Sequence, residues 1–310
     1  MGIVSSFEQL TGHTPLLRAS RLEAAWNVKA HLLLKLECMN PAGSAKDRVA
    51  VAILDDAEKR GVLLPGGTVI EETSGNTGIG LAAVCAVRGY RCIIVMPDSM
   101  SRERMQLMRA YGAEIVLTPG RLGMSGAAAK AEEIHAATPG SIVAGQFDNP
   151  ANPRAHYEGT GPEIWTDAAG AVDVFVAGVG TGGTLSGTGK YLKEKDPGVR
   201  IVAVEPAASP LLSGGKAAPH GLQGIGADFI PANYDAAVTD EIIRVTEEDA
   251  FATARLLAKR EGLLCGITSG AALWAAGKIA ARPEYAGKNI VVLLPDTGSR
   301  YLSGPLFAQE

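Results

Sequence analysis

The sequence predicts an α/β protein with mostly parallel sheets. Three observations support this. Short β-rich runs alternate with helical patterns, glycines stop several of the helices, and the same rhythm returns in the second half of the 310 residues. The first cycle starts with "HLLLKLE" (31–37), read as a strand and followed by a helix over 45–60 that Gly61 ends. "TVIEET" (68–73) leads into a helix over 77–88 stopped by Gly89, and "RCIIVMP" (91–97) into one over 101–111 stopped by Gly112. "AEIVLT" (113–118), a helix over 123–137 and "SIVAG" (141–145) complete this cluster. The second cluster shows strands at "VDVFVAGV" (172–179), "VRIVAVEP" (199–206) and "NIVVLLP" (289–295). The clusters part near "GQFDNPANP" (145–153), which predicts two such domains. Residues 205–235 carry no clear period, and so long an unpatterned stretch in a compact domain is usually functional or mobile.

Composition excludes several classes. A hydrophobic share of 46% with 20% charge is that of a soluble globular chain. The net charge of −4 gives no electrostatic footprint for nucleic acid or an anionic membrane. No apolar run is long enough to span a bilayer, and "MGIVSSF" lacks a secretory signal. Gly2 and Ser6 fit a loose myristoylation pattern that chance often produces. Cys38, Cys85, Cys92 and Cys265 show no paired spacing, so buried free thiols in a reducing cytoplasm are expected. The five histidines lack metal-ligand spacing, and no metal site is expected.

The stretch "GSAKDR" (43–48) raises a question of placement. Ser44 reads as an N-cap and Asp47 as a first-turn acid. Lys46 then shares a helical face with Val49, Ala50 and Ile53, while Arg48, Ala52, Asp55 and Lys59 line a mostly charged one. An ammonium group is thus aimed at the side expected to be buried. Two loops bear on this. In "VFVAGVGTGGTLSG", consecutive glycines before a helix offer backbone N–H groups to an anion such as phosphate. Gly178, Gly180 and Gly183 also satisfy G-x-G-x-x-G, so a dinucleotide site competes at this stage. In "EETSGNTGIG", the loop Thr73-Ser74-Gly75-Asn76-Thr77 adds hydroxyls and an amide, which suits a carboxylate. An aldehyde cofactor with a phosphate tail unites all three features. Lys46 would be its covalent anchor, "GTGGT" its phosphate site and "TSGNT" the grip on an amino-acid carboxylate. A solvated or snorkelling lysine is the competing reading.

With these residues the chain resembles the cysteine synthase and cystathionine β-synthase family of pyridoxal-phosphate enzymes, the O-acetylserine (thiol)-lyases. The resemblance runs through "TGHTPLLR" (11–18), "NPAGSAKDR" (40–48), "TSGNTG" (73–78), "GQFDNPANP" (145–153), "TGPEIW" (160–165), "GVGTGGT" (178–184), "QGIGADFIP" (223–231) and "GITSGAA" (266–272). Eight motifs in family order displace the dinucleotide reading. The resemblance implies a two-domain, tryptophan-synthase-β-like fold, each domain a mostly parallel sheet flanked by helices. Residues 1–146 would form a smaller mobile domain and 147–310 a larger one, with roughly residues 1–34 packing on the second. It implies that pyridoxal 5'-phosphate binds between the domains, with Lys46 as Schiff-base lysine and acid–base group. Asn76 would contact the cofactor's phenolic oxygen within the substrate loop Thr73, Ser74, Gly75, Asn76 and Thr77. Gly180, Thr181, Gly182, Gly183 and Thr184 would hold the phosphate, Ser269 would stand beside the pyridine nitrogen, and Gln146 would line the substrate pocket. A cytoplasmic homodimer, with serine acetyltransferase as a further partner, is also implied.

A neutral Ser269 cannot keep a proton on the ring nitrogen as an aspartate would, which favours β-elimination and β-replacement over transamination. The expected reaction is cysteine synthesis from O-acetylserine and sulfide. One position departs from the cysteine synthase pattern: "GIGADF" has Asp228 where that group usually has glycine, and cystathionine β-synthases carry an acid there. The alternative is therefore chemistry on serine or cysteine themselves, forming cystathionine or releasing hydrogen sulfide, with Asp228 as a catalytic acid–base group. An ordering role for Asp228 in the 205–235 loop is its structural alternative.

Overall fold

The computed structural model describes residues 3–308, so Gly2 of the acylation pattern lies outside the described residues. In chain order the strands are β1 (Leu16–Arg18), β2 (His31–Leu36), β3 (Thr68–Glu72), β4 (Arg91–Pro97), β5 (Glu114–Thr118), β6 (Ser141–Val143), β7 (Val174–Gly178), β8 (Arg200–Pro206), β9 (Glu241–Val245) and β10 (Asn289–Leu294). The helices are α1 (Ser20–Ala25), α2 (Lys46–Lys59), α3 (Asn76–Arg88), α4 (Arg102–Ala110), α5 (Gly123–Ala137), α6 (Ala151–Ala155), α7 (Gly161–Asp167), α8 (Gly183–Lys195), α9 (Glu247–Glu261) and α10 (Ile267–Ala280). They fold as two compact units. The first holds residues 40–152 with the segment ending at Thr11, and the second holds Gly12–Met39 with the chain from Pro153 onward.

The first unit is built on a four-stranded, wholly parallel sheet in the order β5-β4-β3-β6. Alternate residues of its strands point to opposite faces, and both faces are covered. Val69, Ile94 and Met96 pack with Val49, Ile53, Leu54, Ile79 and Leu81 of α2 and α3. Ile70, Ile93 and Val95 pack on Ala127 and Ala131 of α5. Each fully buried aliphatic side chain contributes about 1.5–3 kcal/mol of burial. Helices α2 and α3 approach closely at Gly80, where an added Cβ would lie 3.0 Å from the Lys46 carbonyl oxygen.

The second unit has a six-stranded sheet in the order β1-β2-β10-β7-β8-β9, parallel except for β1 against β2. Leu32, Leu34, Val176, Val202 and Val204 face the alanine-rich α10 and α9, while Phe175, Ile201, Ala203 and Val291 face Leu185 and Leu192 of α8. Lys35 is fully buried in β2. Its Nζ reaches Glu163 at 2.8 Å, Asp167 at 3.4 Å and the Thr14 carbonyl at 2.5 Å.

Several local expectations change. The N-cap of α2 is Ala45, and Ser44 instead accepts the Lys46 N–H through Oγ at 3.2 Å. Asp47 turns back to accept the Ala42 N–H at 2.7 Å, and Arg48 is buried rather than part of a charged outer face. The strand expected over 141–145 ends at Val143, because Gly145 takes φ +66 and turns the chain. Strands β1 and β9, the short sheet edges, are absent from the sequence reading. Between Pro206 and Ala236 there is no helix or strand, in keeping with the missing period.

Candidate active site

In the first unit the loop after β3 and the turn after β6 lie at the C-terminal ends of neighbouring parallel strands, and Lys46 and Asn76 open helices α2 and α3. Lys46 is the first residue of α2 and is half-buried, while its face-mates Val49, Ala50 and Ile53 are fully buried. The loop after β3 supplies Thr73, Ser74, Gly75, Asn76 and Thr77, with Asn76 and Thr77 in the first turn of α3. That end of the helix carries partial positive charge and N–H groups without intrahelical partners, so a carboxylate is favoured there. Thr73 Oγ1 accepts the Gly75 N–H at 3.2 Å, which shapes the loop. Thr77 donates its hydroxyl proton to Gln146 Oε1 at 2.5 Å, so the structure joins two predicted substrate residues that are 69 positions apart.

In the second unit, β7 runs into Gly180, Thr181, Gly182, Gly183 and Thr184, and α8 starts at Gly183. The turn requires glycine for two reasons. Gly182 has φ +84, and a Cβ there would sit 2.6 Å from the Tyr234 backbone nitrogen. At Gly180 a Cβ would collide with the Gly224 carbonyl. The unpatterned segment is thus the packing partner of this loop: the Gly226 N–H donates to the Val179 carbonyl at 3.0 Å and the Asp235 N–H to Ser186 Oγ at 2.8 Å. His156, fully buried, bridges the hydroxyls of Thr160 (2.9 Å) and Thr184 (3.1 Å). The sequence reading missed this histidine, whose only signal is its nearness to "TGPEIW". Ser269 lies in the first turn of α10, fully buried, and its Oγ has no partner in hydrogen-bonding geometry, the Cys265 thiol being a weak neighbour only.

Asp228 is exposed and lines an open depression with Ser209, Ala217, Ala218, Pro219, His220 and Gly226. His220 accepts the Leu222 N–H on Nδ1 at 3.2 Å, which leaves Nε2 to donate to the Gly226 carbonyl at 2.9 Å. Both nitrogens hold the turn that carries Asp228. The cysteines, unpaired by spacing in the sequence, meet in space. Cys38 Sγ lies 3.8 Å from Cys265 Sγ, and this neighbouring thiol holds the Cys38 thiol below its usual range. All four cysteines are free, and among the described residues no cluster of His, Cys, Asp and Glu forms a metal site.

Pyridoxal phosphate fits what the second unit offers. A buried hydroxyl without a partner costs about 1–3 kcal/mol, so Ser269 calls for a polar atom from outside the chain, as a pyridine nitrogen supplies. The turn at 180–184 admits no side chain in place of Gly180 or Gly182, and its bare backbone at the start of α8 suits an anion.

The pyridoxal-phosphate-dependent enzyme family matches the chain over residues 7–296. A cysteine synthase of Staphylococcus aureus is 49% identical over 306 residues, covering 98% of this chain and 97% of that protein. Among solved structures, the cysteine synthase of Entamoeba histolytica superposes with a TM-score of 0.96 at 45% identity, covering 100% of this chain and 92% of that one. A hydrogen sulfide-producing enzyme of Fusobacterium nucleatum gives 0.93 at 46% identity, covering 97% and 100%. An O-ureido-L-serine synthase gives 0.94 at 44%, covering 99% and 96%. With near full-length identity of this order, and a second unit shaped for the cofactor, the chain belongs to the family of pyridoxal-phosphate-dependent enzymes.

Proposed function

We propose that the chain is a cysteine synthase, replacing the β-substituent of an O-activated serine by sulfide. Ser269 is the observation that carries the reaction class: a neutral hydroxyl, and no carboxylate, awaits the ring nitrogen. When bound, pyridoxal phosphate supplies an electron sink for the α-carbon of an amino acid. Ser269 would donate a hydrogen bond without fixing a proton on the ring, which would keep that sink moderate and favour loss of a β-leaving group. Gly180 to Thr184 hold the phosphate with backbone N–H groups and the Thr181 and Thr184 hydroxyls. Lys46 would anchor the cofactor covalently, and its Nζ would take up and return the substrate α-proton. Asn76 holds the cofactor's phenolic oxygen. The loop 73–77 grips the substrate carboxylate, and its closure as part of a mobile smaller domain excludes water. Gln146 lines the same pocket. The full-length similarity to cysteine synthases supports this assignment, and a cytoplasmic homodimer able to meet serine acetyltransferase is part of the same proposal.

Asp228 favours a second reading, in which serine or cysteine is the donor. Acetate leaves without help, whereas hydroxide and hydrosulfide need a proton, and an acid near the β-carbon can give one. The hydrogen sulfide-producing relative supports this reading. The test assays the purified holoenzyme on O-acetylserine, serine and cysteine, with sulfide or homocysteine, beside Asp228→Asn. Cysteine synthesis from O-acetylserine that survives in the variant is expected. Turnover of serine or cysteine that collapses in Asp228→Asn moves the assignment to the second reading, and no turnover of any of the three sinks both.

A further inference from the structure

Glu71 has no role in the chemistry described so far, yet it is a fully buried carboxyl group placed two residues before the substrate loop. It sits at the end of β3, the strand flanked by β4 and β6. Its Oε2 accepts the Gly145 N–H at 2.8 Å and its Oε1 the Gln146 N–H at 3.4 Å, just where Gly145, at φ +66, turns the chain out of β6. The Gln146 side chain also acts on Glu71 as a hydrogen-bond donor, while Gln146 Oε1 accepts from the Thr77 hydroxyl at 2.5 Å. A primary amide has one donor end and one acceptor end. A carboxylate accepts only, so it draws the NH2 end of Gln146 to itself and leaves the carbonyl end for Thr77. The far side of the turn is tied as well, because Asn152 Nδ2 donates to the Gln146 carbonyl at 2.8 Å.

We propose that Glu71 is a positioning residue for substrate binding: its carboxylate sets the orientation of the Gln146 amide and, through it, locks Thr77 and the carboxylate loop to the Gln146 turn as one piece. This rests on the assignment of residues 73–77 and Gln146 to the amino-acid substrate. Glu71 itself touches no reactant, so its effect passes through Gln146.

The lock depends on charge. Burial, with the neighbouring Glu72 charge, pushes the Glu71 carboxyl up to about 8, against the lowering pull of the Gly145 and Gln146 hydrogen bonds. Cys92 on β4 feels the Glu71 charge, and Glu132 on α5 and Asp148 in the turn act on Glu72. These groups are acids or a thiol, so the surroundings named here oppose ionisation. Above pH about 8 the ionised group completes the relay, and below it the bound proton competes with Gln146 for the carboxyl oxygens.

The test uses the holoenzyme with Glu71→Gln, Gln146→Ala and the double variant. In Glu71→Gln the new amide can donate to Gln146 Oε1, which lets the Gln146 amide flip and withdraws the acceptor from Thr77. Above pH about 8, KM for the amino-acid donor should rise about ten-fold with cofactor content and kcat nearly kept. In the Gln146→Ala background the same change should have little further effect. The ratio of wild-type to Glu71→Gln kcat/KM should climb as pH rises through about 8, since ionisations common to both enzymes cancel. An unchanged KM, an effect that adds fully to Gln146→Ala, or a flat ratio would overturn the proposal while leaving the enzyme assignment intact. A wild type that processes no amino acid with a β-leaving group would overturn that assignment instead. Should Glu71→Gln fail to fold, the ratio of wild-type to Gln146→Ala kcat/KM decides: a climb as pH rises through about 8 supports the relay, and a flat ratio refutes it.

Discussion

The two strand–loop–helix turns at 73–77 and 180–184 have the same architecture and opposite packing. Around Gly182 the chain is closely packed: Thr181 to Thr184 are buried, the left-handed backbone excludes a side chain, and Tyr234 lies against the turn. Around Gly75 there is space. Ser74, Gly75 and Asn76 are half-buried, Gly75 has an extended backbone at φ −115, and an added Cβ would meet only Thr73 Oγ1 at 3.9 Å. One loop is finished before any ligand arrives. The other has freedom left and uses one of its N–H groups internally, in the Gly75-to-Thr73 hydrogen bond. This suits a resident cofactor held by the first and a transient substrate gripped by the second, because preorganisation lowers the ordering cost of tight binding while exchange requires motion.

The largest expected effect tests the finished loop. Gly182→Ala combines a strained positive φ with a backbone collision and should lower stability by roughly 2–3 kcal/mol, with most bound cofactor lost. Cofactor absorbance and thermal unfolding measure this, and normal cofactor retention would break the contrast. Next comes Asn76→Ala in the open loop. Cofactor should stay, while kcat/KM falls about ten- to a hundred-fold through loss of roughly 1.5–3 kcal/mol of charge-assisted bonding. Amino-acid esters, which lack the carboxylate, should show a smaller difference between wild type and variant, the part that remains coming from the lost contact with the cofactor's phenolic oxygen.

Ser269→Ala sharpens the contrast by reversing sign with ligation. The cofactor-free protein should gain about 1 kcal/mol, because a buried unpaired hydroxyl is removed, while cofactor affinity falls. Parallel melting curves with and without cofactor give both numbers, and a destabilised cofactor-free variant would contradict the unpaired hydroxyl. The smallest effect belongs to Gly75→Ala. With open space and an ordinary φ, stability should change by less than about 0.5 kcal/mol, and the cost should appear in KM alone. A large loss of stability there would show that the open loop is packed after all.

Much of the fold was legible in the chain. Apolar β-branched runs such as "RCIIVMP" and the glycine stops at Gly61, Gly89 and Gly112 are local signals, so the α/β rhythm and the helix over 123–137 follow from sequence alone. The short edge strands β1 and β9 were not, because their pairing gives them structure that three to five residues of pattern cannot announce. The glycine loop is legible for the same local reason: its backbone demands are written in residue type. Its covering segment is not, since residues 224–234 carry no period and are ordered by contact with the loop they cover.

Two lysines show where the division falls. Lys35 and Lys46 both stand among apolar residues, and by sequence only the helical register of Lys46 drew attention. The sequence by itself determined the parallel-sheet fold, the family and the residue types that its chemistry needs, because motifs and periodicity act over a few neighbours. Tertiary structure decided the partners. Lys35 is committed to a buried ion pair with Glu163 and to Asp167, 132 positions away. Gln146 is tied to Glu71 through its N–H and to Thr77 through Oε1, Ser269 is left without a partner, and Cys38 is set against Cys265. Such pairings join residues far apart in the chain, and hydrogen bonds and burial take effect only where folding has brought them together.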